Sequence, residues 1–444
     1  MKKLLFIPLA LTIAGSCSLF QLESKNETTA YIDLGSKKAS RSTELGTAQK
    51  AKKKMKKEYD IRLMDPAIKQ KWGLALTDSK KAWERHKVLG SRDIVVAVID
   101  TGIDVDHPDL KDNIWKNKRE LKGKPGVDDD NNGFVDDFYG WNFVSNNNDL
   151  ADNHGHGTHI AGIIGAVGGN GIGISGVAPR VSLMALKYYD PKAPGRNNLM
   201  NTVQALKYAI DQGVDVINYS GGGLEQSPAE KKLIEEAHRK GILVVAAAGN
   251  EKSNSDIHGY YPADYEYDNI ISVTAFDQSE NILPTSNYGS KTVDIAAPGN
   301  NIYSTLPGGS YGYMTGTSQA TAFVSGVAVL LKSRFTDFNA QKIVKNILEN
   351  GTFDSKLAGK TRFKKRLNTW AAIAGQDRGV ARTGIVAENT SNMNTRLFTN
   401  DEKYHESLEF QDITQIKPSN GLLDLSKALN KQFLPQIAPI DNKL

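Results

Sequence analysis

Between about residues 65 and 375, short apolar runs alternate with longer segments whose apolar residues have helical spacing. Runs of strand length are Ile94–Ile99, Val214–Ile217, Ile242–Ala248 and Ile270–Ala275, and candidate helices are Thr202–Gln212 and Pro228–Lys240. Because the runs lack polar alternation, both faces of each predicted strand are expected to be buried, which is typical of a parallel sheet covered by helices. We therefore predict an α/β fold with three α/β/α layers and a mainly parallel central sheet.

The regions on either side lack this rhythm. Residues 18–64 are polar, and six of the eight residues from Lys50 to Lys57 are lysine. We interpret 17–64 as a solvated linker; a basic contact with anionic lipid and a short propeptide are the alternatives. We expect residues 376–444 to form a poorly ordered or loosely docked extension, with a short helix at Leu422–Leu429.

The N-terminus has the pattern of an export signal, which we assign to residues 1–16. Lys2 and Lys3 precede the apolar stretch Leu4–Ala14, and small residues follow it. This stretch is too short to span a bilayer as a stable helix, and it matches the apolar core of a signal peptide. No later run reaches 18 apolar residues, so we expect no transmembrane helix.

Cys17 is the only cysteine, so an internal disulfide and a cysteine-rich zinc module are both excluded. The segment Ala14–Cys17 resembles a bacterial lipobox, in which the signal is cut before a cysteine that then carries lipid. This resemblance implies an exported protein, lipid-anchored through Cys17 to a membrane of the bacterial cell envelope. The alternative is an ordinary signal peptide that contains a cysteine.

Composition narrows the class of protein further. The 444 residues are 39% hydrophobic and 24% charged, which fits a globular protein and excludes a wholly disordered chain. The net charge of +5 is small for this length and does not indicate nucleic-acid binding. We expect a monomer.

Three polar residues at the ends or starts of predicted elements could together form a nucleophilic site. Asp100 follows the strand Ile94–Ile99, His156 lies near the start of a helical pattern, and Ser318 precedes the apolar stretch Ala322–Leu331. Taken singly, the Asp reads as a turn residue and the Ser as a helix cap. Together they have the chain order Asp, His, Ser, in which Ser would attack a carbonyl, His would transfer its proton and Asp would orient His.

A zinc site is an alternative interpretation of the histidine-rich segment. His154, His156 and His159 are close in sequence, and a metal-dependent hydrolase would use all three. However, Thr158 stands where a metallo-β-lactamase pattern has Asp, and no cysteine is available as a further ligand.

The segments that contain the three residues resemble the signature segments of the subtilase family of serine peptidases. They are Val98–Asp104, His156–Gly162 and Gly316–Thr321. They occur in the family's order, and the resemblance covers about residues 65–375. It implies a serine endopeptidase that hydrolyses peptide bonds through an acyl-enzyme on Ser318, with His156 as general base and acid and Asp100 as orienter. The alternative is a catalytically silent subtilase-like binding protein at the cell surface.

Further segments resemble the parts of this family that bind substrate. Ala246–Asn250 resembles the segment with the oxyanion-hole asparagine, which implies that Asn250 donates to the oxyanion. Ile217–Gly223 resembles the strand that pairs with an extended protein or peptide substrate. The implied substrate-binding residues are Ser220, Gly221, Gly222, Ala247, Gly249 and Tyr260. Because relatives often have a small residue at the position of Tyr260, we expect a partly filled first specificity pocket and slow cleavage after bulky P1 residues.

An acidic segment, Asp128–Asp137, predicts a structural calcium site. Its alternating oxygen ligands and Gly133 resemble the first half of an EF-hand loop, but Tyr139 occupies the position of the essential Glu. Some bacterial subtilases carry a similar insertion, which implies bound Ca²⁺. The expected ligands are Asp128, Asp130, Asn132 and Asp136. A solvated turn is the alternative.

Overall fold

The computed structural model describes residues 65–191 and 198–377. The predicted signal peptide, Cys17, the lysine-rich segment, the helix Leu422–Leu429 and almost all of the C-terminal extension lie outside the described residues. The α-helices are α1 Trp72–Leu76, α2 Ser79–His86, α3 His156–Gly165, α4 Asn198–Asp211, α5 Pro228–Arg239, α6 Thr317–Arg334, α7 Ala340–Asn350 and α8 Thr369–Asp377. Short 3₁₀ helices lie at Ile68–Gln70, Lys111–Asn113, Glu120–Lys122 and Ser355–Leu357.

The strands form one large sheet and one hairpin. The strands are β1 Gly90–Asp100, β2 Gly140–Asn142, β3 Arg180–Lys187, β4 Val216–Tyr219, β5 Leu243–Ala247, β6 Ile270–Phe276, β7 Ile295–Pro298, β8 Ile302–Leu306, β9 Ser310–Met314, β10 Thr352–Phe353 and β11 Lys365–Arg366. The large sheet has the order β10-β11-β7-β6-β5-β4-β1-β3-β2, and β8 and β9 form the hairpin. Every neighbouring pair in the large sheet is parallel except β10 and β11. The prediction of an α/β fold with a mainly parallel sheet is confirmed.

Helices cover both faces of this sheet. Helix α6 packs along β1, β4, β5, β6 and β7 and also contacts α3, while α4 and α5 pack together in the opposite layer. In β1, Val96 and Val98 belong to the core under α6, whereas Ala97 and Ile99 belong to the core under α4 and α5. Burial of both faces therefore explains the unbroken apolar run, since each buried aliphatic side chain contributes about 1.5–3 kcal/mol.

Two elements are longer than their apolar pattern. Strand β1 begins four residues before Ile94, and α6 begins at Thr317 rather than near Ala322. The first turn of α6, from Thr317 to Gln319, is polar yet buried. Apolar periodicity could not reveal this turn, because its burial depends on partners from other elements.

The strand order places a crevice between β1 and β4. From β1 the sheet extends through β3 to β2 on one side, and from β4 through β5 to β7 on the other. Such a reversal opens a crevice at the carboxyl ends of the two central strands, where α/β proteins bind ligands. Strand β1 ends at Asp100, and Ser220 directly follows β4.

Within the described part of the chain, none of the helices combines the length and the apolar character that spanning a membrane would need.

Candidate active site

Asp100 and His156 form a buried hydrogen-bonded pair at this crevice. Asp100 is the last residue of β1 and His156 the first of α3, and the Nδ1 atom of His156 lies 2.7 Å from Oδ1 of Asp100. Their exposed fractions are 3% and 2%. Because a carboxylate only accepts, Nδ1 is the donor, and Nε2 is therefore the basic nitrogen of the neutral imidazole.

Glycines allow these two segments to come so close. A Cβ atom at Gly157 would lie 2.0 Å from the carbonyl oxygen of Gly102 and 3.1 Å from Cβ of Asp100. Gly102 itself has a φ of 110°, and a Cβ there would lie 2.5 Å from the carbonyl oxygen of Leu150. A side chain at either position would push the start of α3 away from the end of β1.

Ser318 lies in the first turn of α6, beside the end of β4. It is 2% exposed, and its hydroxyl donates to the carbonyl oxygen of Ser220 at 3.1 Å. The segment that leads into α6 also passes the start of α3, since a Cβ on Gly155 would lie 3.9 Å from Cε of Met314. Ser318 therefore occupies the positive end of a helix dipole, in the crevice that contains the Asp–His pair.

Asn250 is held by the residue next to Ser318. Its Oδ1 accepts hydrogen bonds from the backbone N–H of Thr317 at 3.0 Å and from the Thr317 hydroxyl at 3.2 Å. These bonds fix the orientation of the amide, so its NH₂ group is the end that would donate to an oxyanion. An oriented donor at a helix N-terminus is the arrangement that stabilises developing negative charge.

Two of the expected pocket glycines lie against the ring of Tyr260. A Cβ on Gly222 would lie 2.4 Å from Cε1 of Tyr260, and a Cβ on Gly249 would lie 3.0 Å from Cδ2 of the same ring. Tyr260 is 4% exposed and Ala247 is 2% exposed. Gly223 and Tyr261 exchange backbone hydrogen bonds of 2.9 and 2.8 Å, which join the two segments. The Tyr260 ring therefore fills the space between Gly222 and Gly249.

Tyr188 lies next to Gly221, another of the expected substrate-binding residues. A Cβ on Gly221 would lie 2.4 Å from the Oη atom of Tyr188. Ser220, which precedes Gly221, accepts the hydrogen bond from the Ser318 hydroxyl through its carbonyl oxygen, and it is 5% exposed.

The acidic segment groups its carboxylates differently from the expected ligand set. Oxygens of Glu120, Asp130 and Asp137 lie within 4.8 Å of one another. Burial is the largest cause that raises the pKa of Asp137 to about 6, and the charge of Asp130 raises it further. Of the expected ligands, only Asp130 belongs to this group.

The other expected ligands have local partners. Asp128 accepts from the backbone N–H groups of Asn132 and Gly133, and Oδ2 of Asp136 accepts from the backbone of Gly126. The Asn132 amide donates to Asp137 at 2.8 Å. Sequence reasoning missed Glu120 because it precedes the acidic segment and reaches it only through the fold.

The three histidines do not converge on one point. Across residues 65–191 and 198–377, the acidic group is the only set of three or more His, Cys, Asp or Glu side chains close enough to share a metal ion. His159 is fully buried, and its Nε2 lies 2.9 Å from the carbonyl oxygen of Ile302. Burial is the main cause that lowers the pKa of His159 to about 3 and lowers the pKa of His154. The geometry therefore gives the zinc alternative no support.

Three buried polar residues beside the Asp–His pair were not among the predicted site residues. They are Thr101, Asp152 and Thr158. The only sequence signal for Asp152 was an acidic residue shortly before a helix start, which is common at helix N-termini.

Comparison with known proteins gives a consistent result. The model of the family described as "Subtilase family" matches residues 91–381. Proteins similar to this chain include "Subtilisin-like protease 1" of Plasmodium falciparum (isolate 3D7), which is 36% identical over 330 residues, or 70% of this chain and 46% of the relative. "Thermophilic serine proteinase" of Bacillus sp. (strain AK1) is 38% identical over 263 residues, or 59% of this chain and 57% of the relative. The chain thus spans about half the length of the curated relatives it matches.

Proposed function

We infer that this chain, which belongs to the subtilase family, is a serine endopeptidase with Ser318 as its nucleophile. The observation that carries this proposal is the buried 2.7 Å contact between His156 and Asp100. The helix α6, which has Ser318 in its first turn, packs against α3, which begins at His156. Relatives named as proteases support the proposal. The substrate is a protein or peptide that binds as an extended strand along Gly221 and Gly222.

The proposed reaction follows from the groups present. Ser318 attacks the scissile carbonyl and passes its proton to Nε2 of His156, which then gives it to the leaving amine. Asp100 accepts the Nδ1–H bond and stabilises the imidazolium without taking the proton. Asn250 and the N–H groups at the start of α6 stabilise the oxyanion. Water then hydrolyses the acyl-enzyme by the same proton transfers.

A fluorophosphonate probe tests the proposal directly. We expect one covalent adduct on Ser318, identified by peptide mapping, and strongly reduced labelling in His156→Ala. Ser318→Ala, which should fold normally, is the control for reaction elsewhere. An unlabelled protein that folds but cleaves no peptide would favour the silent binding protein. Absence of an adduct, with activity lost to a zinc chelator, would favour the metal-dependent hydrolase.

The filled pocket predicts a preference for small P1 residues. Tyr260 lies against both Gly222 and Gly249, so a large P1 side chain would have to displace its ring. Tyr260→Gly should raise kcat/KM for a Phe P1 substrate by about tenfold or more, since each methylene of the substrate that the enlarged apolar pocket can hold is worth about 1–3 kcal/mol. The same variant should change little with Ala at P1, which serves as the internal control. A wild-type profile led by Phe and Tyr would contradict this specificity.

We also propose a structural Ca²⁺ ion at the acidic segment. Calcium prefers several oxygen ligands, and Glu120, Asp130 and Asp137 offer three converging carboxylates. Glu120 and Asp137 are 2% and 0% exposed, so their mutual repulsion is only weakly screened by solvent. These residues therefore fit a divalent cation better than the set expected from sequence. The ion would stabilise the fold and take no part in the reaction.

Export and lipid anchoring through Cys17 complete the proposal. The support is the N-terminal sequence pattern alone, with its basic residues, short apolar core and small residues before the cysteine. In a bacterial host, Cys17→Ser should move the protein from the membrane fraction to the soluble fraction and abolish incorporation of labelled fatty acid. Unchanged membrane association with no lipid incorporation into wild type would contradict it.

A further inference from the structure

A buried polar cluster formed by Thr101, Asp152 and Thr158 joins the three segments that meet at the Asp–His pair. Both oxygens of Asp152 are used. Oδ1 accepts from the Thr101 hydroxyl at 2.8 Å and from the backbone N–H groups of His154 and Gly155 at 3.1 and 2.7 Å. Oδ2 accepts from the backbone and the hydroxyl of Thr158 at 2.8 and 2.7 Å.

The two threonines also bind the backbone of the segments that contain Asp100 and His156. The Thr101 hydroxyl also accepts from the backbone N–H of Gly157 at 3.0 Å, and the Thr158 hydroxyl accepts from the backbone N–H of Asp104 at 3.0 Å. Thr101 directly follows Asp100, and Gly157 directly follows His156. The cluster therefore ties the end of β1 to the first turn of α3 on both sides of the pair.

Burial makes these bonds hard to replace. Asp152, Thr101 and Thr158 are 7%, 5% and 0% exposed, so water cannot take the place of a lost partner without rearrangement. A buried carboxylate that accepts several N–H and O–H bonds holds its donors strongly, because charge-assisted hydrogen bonds are about twice as strong as neutral ones. The N-cap residue of α3, Gly155, has no side chain to cap the helix. Asp152 instead accepts from the backbone N–H of Thr158, and the Thr101 hydroxyl accepts from that of Gly157, so the cluster supplies acceptors in the first turn of α3.

We propose that Asp152 is a positioning residue, which acts through Thr101 and Thr158 to hold His156 in register with Asp100. This inference rests on the proposed peptidase function. The hydrogen bonds that Asp152 accepts come from Thr101, Thr158 and the backbone of His154 and Gly155. The effect of Asp152 is to set where α3 begins relative to the end of β1, and thus where Nε2 of His156 lies. A displacement of about 1 Å in a reacting group can cost about 10² in rate.

Asp152→Asn is the first test. It keeps the size of the side chain but turns one acceptor atom into an NH₂ group that faces N–H and O–H donors. We expect kcat for a peptide substrate to fall roughly tenfold to a hundredfold, with KM changed less than about threefold. Each kcat is expressed per active site titrated to completion with a fluorophosphonate, so a misfolded fraction does not contribute.

Asp256→Asn is the matched control. Asp256 also accepts five hydrogen bonds, from Ser290, Lys291 and Thr292, but it lies in a different loop. This variant should lose thermal stability while its kcat per titrated site stays within twofold of wild type. The same behaviour in Asp152→Asn would overturn the proposal.

Thr101 provides a second, gentler pair of variants. Thr101→Val removes the hydroxyl and should lower kcat per site by about tenfold, whereas Thr101→Ser keeps the hydroxyl and should restore most of it. Equal kcat values for the two would contradict a role for this contact. The pair keeps the proposal testable if Asp152→Asn does not fold.

A double-mutant cycle separates positioning from general stability. In an Asp100→Asn background, the Asp152→Asn change should lower kcat by less than about twofold, because the aligned pair it serves is already lost. A full effect in that background would contradict the proposal. Absence of Ser318 labelling in the wild type would instead defeat the proposed function, which keeps the two failures distinct.

Discussion

Two groups of carboxylates in this molecule have different surroundings. At the candidate active site, Asp100 accepts from an imidazole and a backbone N–H group, and Asp152 accepts from backbone N–H groups and hydroxyls. In the acidic group, Glu120 and the acidic-segment residues Asp130 and Asp137 bring their oxygens within 4.8 Å of one another.

The difference separates catalysis from stability. Donors within the chain satisfy the active-site carboxylates, so the geometry of the Asp–His pair needs no ion. The acidic group also accepts neutral hydrogen bonds, yet its carboxylates repel one another, and burial holds the pKa of Asp137 at about 6. We therefore expect changes at the active site to alter the rate, and cation removal to alter stability.

The largest expected effect comes from Asp100→Asn. An Asn at this position can bond the wrong tautomer of His156, so kcat should fall by about 10⁴-fold while the melting temperature changes little. Hydrolysis of a peptide substrate and thermal unfolding measure the two quantities. A large loss of stability with a small loss of kcat would contradict the assignment of Asp100 to the rate rather than to stability.

A smaller rate effect is expected at the oxyanion site. Asn250→Leu removes the side-chain donor that Thr317 orients, so kcat should fall by about 10²–10³-fold with little change in KM. Asn250→Asp has a similar shape but repels an oxyanion, so it should be at least as slow. A loss confined to KM would show that Asn250 binds the ground state only.

Calcium removal should affect stability alone. Saturating Ca²⁺, at about 100 times its Kd, should raise the free energy of unfolding by about 2.7 kcal/mol relative to a chelator. For a domain of roughly 300 residues, that is a shift of about 4 °C in melting temperature. Glu120→Gln should abolish the shift, whereas Glu235→Gln, which changes an exposed residue paired with Arg239, should retain it. Loss of kcat at a temperature well below unfolding would assign the ion a catalytic role.

The pH dependence of this effect has a defined sign. In chelator, the raised pKa of Asp137 means that the folded state binds this proton more tightly than the unfolded state. Its contribution to stability is thus present below about pH 4 and is lost as pH rises through about 6. Ca²⁺ competes with that proton, so the stabilisation by calcium should grow over the same range. Calcium stabilisation that is constant from pH 5 to 8 would contradict the assignment of Asp137 as a ligand.

The smallest expected effect is at Glu230, a buried carboxyl with a tyrosine partner and no role in the proposed reaction. Burial raises its pKa to about 7, although hydroxyl donors from Tyr265 and Tyr219 oppose the shift. Its contribution to stability is therefore lost as pH rises through about 7. Glu230→Gln should remove this loss, so relative to wild type it should gain about 2 kcal/mol between pH 5 and pH 8. Parallel stability curves for the two proteins would show that Glu230 does not titrate there.

Much of the fold could be predicted because local pattern and global burial agree. The unbroken apolar run at Ile94–Ile99 indicated a strand buried on both faces, and β1 has its core residues on both sides. The first turn of α6 could not be predicted in the same way. Its residues are polar, and their burial depends on contacts with Asn250 and Ser220, which are distant in sequence.

The residues of the candidate site likewise differ in whether the sequence could predict them. Asp100, His156 and Ser318 could be proposed from sequence because each stands in a short segment with a recognisable pattern. Asp152 and Glu120 could not, because their importance comes from neighbours in space. The calcium ligands predicted from the sequence included Asp128 and Asp136, whereas the fold groups Glu120 with Asp130 and Asp137.

The sequence by itself determined the class of fold, the order of the three proposed catalytic residues and the export pattern at the N-terminus. These depend on periodicity and on short contiguous segments, which the chain carries whether folded or not. Only the tertiary structure decided that Asp152 joins β1 to α3, that Tyr260 lies between Gly222 and Gly249, and which carboxylates face one another. Such contacts join residues far apart in the chain, and their geometry is fixed only when the surrounding elements pack.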